Sequence, residues 1–170
     1  EIEKWADIFE EEGFTCFYFA GELDRPAERC YLVPEAHFTH PDIKDVYIES
    51  FNAIGRDGAI SKKIYHLAIK LKDHLYEFVE KFNIQIIIPE NALTIPLNIP
   101  LGIALTEFIA ETNIQTIAHH HDFYWERDRF MVNAVQDYLN MAFPPVLPSI
   151  HHVVINSVAD AQLSLRTGVS

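Results

Sequence analysis

Cysteine is scarce in this chain. Only two cysteines, Cys16 and Cys30, occur among 170 residues, with no Cys-x-x-Cys spacing. That excludes a disulfide framework and a zinc knuckle and fits a reducing cytoplasm. Basic residues are few as well: 13 Lys and Arg stand against 25 Asp and Glu, a formal net charge of −12. No basic patch is available to track a phosphate backbone, so nucleic acid is not an expected partner. Long apolar runs are missing, none reaching the roughly 18–20 residues that span a bilayer, and the N-terminus lacks a basic-then-apolar signal pattern. A soluble, cytoplasmic protein is expected. Glycine-rich phosphate loops are absent too. Gly55-Arg56-Asp57-Gly58 is not a GxGxxG, and neither GxxxxGK[ST] nor a GxSxG elbow occurs. There is no initiator Met, and Glu1 opens the chain inside a helical pattern.

What is present is apolar content patterned for a sheet and helices. At 49% hydrophobic residues the chain is long enough for one well-cored domain. Ile2, Trp5, Ile8 and Phe9 recur at helical spacing with Gly13 as a stop, and residues 14–20 form an aromatic strand closed by Gly21. An irregular loop follows with Pro26, Pro34 and Pro41, carrying His37 and His40 as loop decoration. Helices are predicted over 42–54, about 61–82, 101–111 and roughly 127–141, and strands over 84–88, 114–118 and 151–155. His66 and His74 read as exposed helix residues, and His151 and His152 as the opening of a strand. Ser157 and Asp160 have capping-box-like spacing for a last helix. Residues 83–85 and 113–115 are both Asn-Ile-Gln, so two helices exit into their strands in the same way. Alternating helices and near-continuous apolar strands give an α/β domain, a Rossmann-like parallel sheet with helices on both faces.

Chemistry concentrates after the strand at 114–118, where His119, His120, His121 and Asp122 leave the sheet. Open α/β sheets bind ligands at the carboxyl ends of their strands. Glu90 and Asn91 follow the strand at 84–88 and belong to the same rim; Asn91 either bonds a ligand hydroxyl or satisfies a turn. Consecutive strand residues point to opposite faces, so at most two of the three histidines share a side. That weakens a zinc reading, because metal-binding histidines come as HxH or HxxxH with a carboxylate partner and no second cluster is near in sequence. No metal is expected. The remaining readings are a sugar contact and plain surface histidines. Glu126, Arg127, Asp128 and Arg129 read as a solvated first helical turn.

Three segments carry a family resemblance: Ile-Pro-Glu-Asn-Ala-Leu-Thr-Ile-Pro-Leu-Asn-Ile-Pro-Leu (88–101), Ile-Ala-His-His-His-Asp-Phe-Tyr-Trp-Glu-Arg (117–127) and Val-Val-Ile-Asn-Ser-Val (153–158). Together with Tyr-Phe-Ala-Gly-Glu-Leu-Asp-Arg-Pro (18–26) and Pro-Glu-Ala-His-Phe (34–38), they resemble the N-terminal half of bacterial retaining GT-B glycosyltransferases of family four. The resemblance covers nearly the whole chain. It implies sugar transfer with retention from a nucleotide-sugar donor, used as substrate with no separate cofactor. One of His119, His120 and His121 would bond the transferred sugar, with His121 and His120 favoured, and Asn91, Glu90 and Asp122 would help shape the acceptor side. It further implies that a first strand precedes Glu1, central between the strands at 14–20 and 84–88, and that a C-terminal nucleotide-sugar domain follows Ser170. Without that domain the chain is expected to be inactive, and without that strand either a homodimer covers the open edges or the sheet closes up around the gap, the homodimer being favoured. Two other classes fit the same rim: a stand-alone small-molecule-binding α/β domain, and a hydrolase using the histidines as metal ligands.

Overall fold

The computed structural model describes residues 2–169; Glu1, expected inside the first helix, lies outside the described residues. Helix α1 (Ile2–Glu11) lays Ala6 inward and stops where Gly13 takes a φ of 91°. The aromatic stretch pairs only over β1 (Tyr18–Ala20), and its partner is β2 (Cys30–Leu32), in parallel register Tyr18 to Cys30. β2 lies inside the segment predicted as irregular. Its three residues are too few to show a period against the flanking prolines.

His40 is more than loop decoration. Its imidazole accepts the Asp42 N–H as N-cap of α2 (Pro41–Ser50), with Pro41 in the first helical position. The helix ends four residues short of the expectation because Asn52 turns to φ 62° and donates its N–H to the Val132 carbonyl. The long helix α3 (Gly58–Phe82) starts earlier than predicted because the Asp57 carboxylate accepts the Ala59 N–H at 2.8 Å. β3 (Ile86–Ile87) follows it, then α4 (Ile99–Thr112), capped by Asn98 on the Leu101 N–H. The repeated Asn-Ile-Gln has one physical meaning in both copies. Asn83 and Asn113 are the C-caps of α3 and α4, in the left-handed region at φ 51° and 53°.

β4 (Gln115–His120) is the middle of a second parallel sheet, flanked by β3 and by β5 (Ile150–Val154). The helix predicted over 127–141 does not form as such. Two short 3-10 turns, Tyr124–Glu126 and Asp128–Phe130, precede α5 (Gln136–Ala142). The backbone of 132–134 is taken by residues 50–52: Ala134 donates to the Ser50 carbonyl and Phe51 bridges Asn133 antiparallel. Those groups are unavailable to a helix. In α6 (Ser157–Thr167) the cap is Asn156, not Ser157; its Oδ1 accepts the Val158 and Ala159 N–H groups at 3.0 and 2.9 Å.

α4 is the buried centre of the molecule. Its apolar surface goes all round, which a helix can afford only when covered on every side. Ala104, Leu105, Phe108 and Ile109 pack with Leu71, Leu75, Ile87, Ala118 and Ile150, while Ile99 and Ile103 pack with Ile64, Phe130, Leu139 and Phe143. The fold is thus α/β, parallel strands flanked by helices, in keeping with the Rossmann-like reading. β1 and β3 do not pair, so the strands fall into two sheets. Both instead line an apolar groove of about 550 Å³ together with Ile2, Trp5 and Phe9 of α1. That is the place the expected strand order gives to a first strand. Among the described residues, no helix is long and apolar enough to cross a membrane.

Candidate functional site at the carboxyl ends of two parallel strands

Beyond its two ladder residues, the β3 segment stays in register with β4. The His119 N–H donates to the Pro89 carbonyl, the Asn91 N–H donates to the His119 carbonyl at 2.8 Å, and Glu90 bridges His119 in parallel. Asn91 then leaves the sheet with φ 54°. Its side chain accepts the His121 N–H at 3.1 Å and the Thr94 hydroxyl at 2.8 Å, and its amide reaches Asp122. Asn91 therefore does the work of a turn residue, fixing the main chain of His121 by a bond across two strands.

Strand alternation sorts the three histidines. His119 and His121 project to one side and meet Glu90, whose carboxylate lies 2.9 Å from His119 Nδ1 and 2.6 Å from His121 Nε2. A carboxylate only accepts, so both facing ring nitrogens carry a proton. The two imidazoles meet edge to face at 4.9 Å, and Trp5 of α1 closes on His119 with ring centroids 5.3 Å apart. Asp122 takes Arg127 in an ion pair. Arg127 thus has a partner on the rim and is not merely a solvated first-turn charge.

His120 turns the other way. It is 1% exposed, stacks on His152 of β5 at 5.1 Å, and its Nε2 lies 2.8 Å from His152 Nδ1. Burial, then the neighbouring His152, pushes the His120 imidazole down to about 3, and burial lowers His152 as well. The pair is neutral at physiological pH. One of the two nitrogens donates and the other accepts. Sequence reading singled out His120 but missed His152, 32 residues on. Its signal was its place as the third residue of β5, on the same face of the sheet as His120, which only the register Ala118 to His152 reveals.

Glu90, Asn91, His119, His121 and Asp122 are therefore brought together, and His120 is separated from them by the sheet. The gathered groups offer donors, acceptors and a titratable pair of rings to a polar ligand. Among the described residues, Glu90, His119 and His121 are also grouped closely enough for one metal ion, their donor atoms lying within 4.8 Å of one another.

The chain is similar to two curated mannosylglucosylglycerate synthases. It is 28% identical over 173 residues to that of Thermotoga maritima. It is 36% identical over 175 residues to that of Petrotoga mobilis. Each match takes in 99% of this chain and 39% of the relative. The chain thus spans about two fifths of the length of these relatives. No protein-family model matches it, and no solved structure matches it significantly.

Proposed function

We infer that this chain is the acceptor-side half of a glycosyltransferase that moves a hexose from a nucleotide-sugar donor to a small polar acceptor with retention of anomeric configuration. The observation that carries the reading is the joining of Glu90 to His119 and His121 at the carboxyl ends of adjacent parallel strands. This is where α/β sheets place ligands. The names of the relatives, mannosylglucosylglycerate synthases, point to mannosyl transfer onto a glucosylated glycerate. The nucleotide-sugar would be held by a second Rossmann-like domain, in the GT-B arrangement, and this half alone would not turn over.

In such a transfer the protein chiefly positions two substrates and stabilises the charge that develops as the nucleotide leaves. His121, half-buried and held at its N–H by Asn91, is oriented to bond a sugar hydroxyl. His119 supports it through the shared Glu90 carboxylate. In the full-length protein, His121→Ala should lower sugar transfer by roughly 10²-fold, the loss of one well-placed hydrogen bond in the transition state. Steady-state transfer of mannose from nucleotide-activated mannose donors to glucosylglycerate measures it. Unchanged kcat and KM in both His121→Ala and His119→Ala would remove the site from the reaction.

A further inference from the structure

We propose that Glu90, His119 and His121 bind one divalent transition-metal ion of the zinc class, through three protein ligands with the remaining coordination positions open to the cleft. The objections raised by sequence alone were that at most two of the three histidines share a side and that no second ligand cluster is near in sequence. The fold supplies a carboxylate from the adjacent strand: Glu90 lies 29 residues before His119, yet the two bridge in register. Two imidazoles and one carboxylate are the donor set that open zinc sites and non-haem iron sites use.

The geometry is close to what an ion requires. Donors around a four-coordinate zinc at about 2.1 Å stand roughly 3.4 Å from one another. Here the carboxylate lies 2.9 Å from His119 Nδ1 and 2.6 Å from His121 Nε2, and all three donors fall within 4.8 Å. An ion entering between them needs side-chain movements of about an ångström and the release of the ring protons that now bridge to Glu90. The backbone need not move. The main chains of Glu90 and His119 are tied to each other, and that of His121 is tied to Asn91.

Exposure grades across the cluster and gives an approach path. The side chains are 9% exposed at His119, 18% at Glu90 and 32% at His121, so the wet side is that of His121. Trp5 covers the His119 side. The nearby cation, Arg127, is engaged by Asp122, and the neutral pair His120 and His152 lies across the sheet. Open positions on the His121 side would take oxygen ligands, water or sugar hydroxyls. The ion site stands on donor geometry and not on the sugar-transfer reading, so either can fail without the other.

Cobalt(II) chloride is the probe, added to the chelator-stripped, desalted protein and followed in the visible range, with zinc chloride competing. One equivalent should bind saturably, giving the ligand-field bands of a four- or five-coordinate ion, and zinc should abolish them. Glu90→Gln, which keeps the side-chain volume, and His121→Ala should each weaken binding by more than about 100-fold, since even changes outside the ligand shell cost about 10–100-fold. His66→Ala, an exposed histidine of α3, should bind as the parent does. Circular dichroism identifies any variant that fails to fold, and the other then decides. Absence of one-equivalent uptake, or equal uptake in the parent and in the folded variants of Glu90 and His121, would overturn the proposal.

Discussion

At the scale of single residues, His120 and His152 place a proton-free pair in the interior, and that sets an acid limit on stability. His120 is held neutral down to about pH 3 by burial, then by the neighbouring His152, His119 and His121. Its released ring in the unfolded chain takes a proton near its ordinary value of 6.5. The unfolded state therefore binds more protons between those limits, and stability falls as pH falls through them, at up to about 1.4 kcal/mol per pH unit. Urea unfolding midpoints between pH 6.5 and about 5, above most carboxylate titration, should drop steeply in the parent and less in His120→Leu. Equal slopes would mean the ring is not buried neutral. The residues of the rim were legible because polar, titratable side chains follow apolar runs abruptly. Their partition was half legible: strand alternation puts two of three histidines together, but which carboxylate joins them depends on register between strands 29 residues apart.

At the scale of elements, α4 shows how tightly the site is supported. A Cβ on Gly102 would fall 2.2 Å from the ring of Phe143, which is itself buried. Replacing Gly by Ala in a helix gains about 1 kcal/mol of propensity, whereas overpacking a filled core costs about 1–3 kcal/mol. At 2.2 Å from a buried ring the clash outweighs the gain, and Gly102→Ala should lower the urea midpoint by the equivalent of up to about 2 kcal/mol; a higher midpoint would show that Phe143 yields freely. The helices themselves were readable from spacing and stops, Gly13, Asn83 and Asn113 above all, because left-handed caps advertise themselves in residue type. The predicted helix over 127–141 failed for a reason no local pattern holds: its middle is hydrogen-bonded to residues 50–52. β2 escaped notice because three residues pair only by virtue of β1.

At the scale of the whole molecule, the division into two sheets leaves β1 and β3 each with an edge along an apolar groove. Backbone donors and acceptors on such edges are templates for another strand. The sheet has not closed over the gap, so the expectation of association stands as a prediction. Light scattering of this 19.6 kDa chain at micromolar concentration should report a species of about twice its mass. A strictly monomeric species would refute it. Trp5, placed edge-on to His119 from the roof of that groove, has one more consequence. An indole excited state is sensitive to the charge and coordination of an imidazole beside it. The other tryptophan, Trp125, is stacked on Phe123 and bonded to Gln162. The emission of Trp5 therefore makes events at Glu90, His119 and His121 visible in the unlabelled protein, with no substrate added.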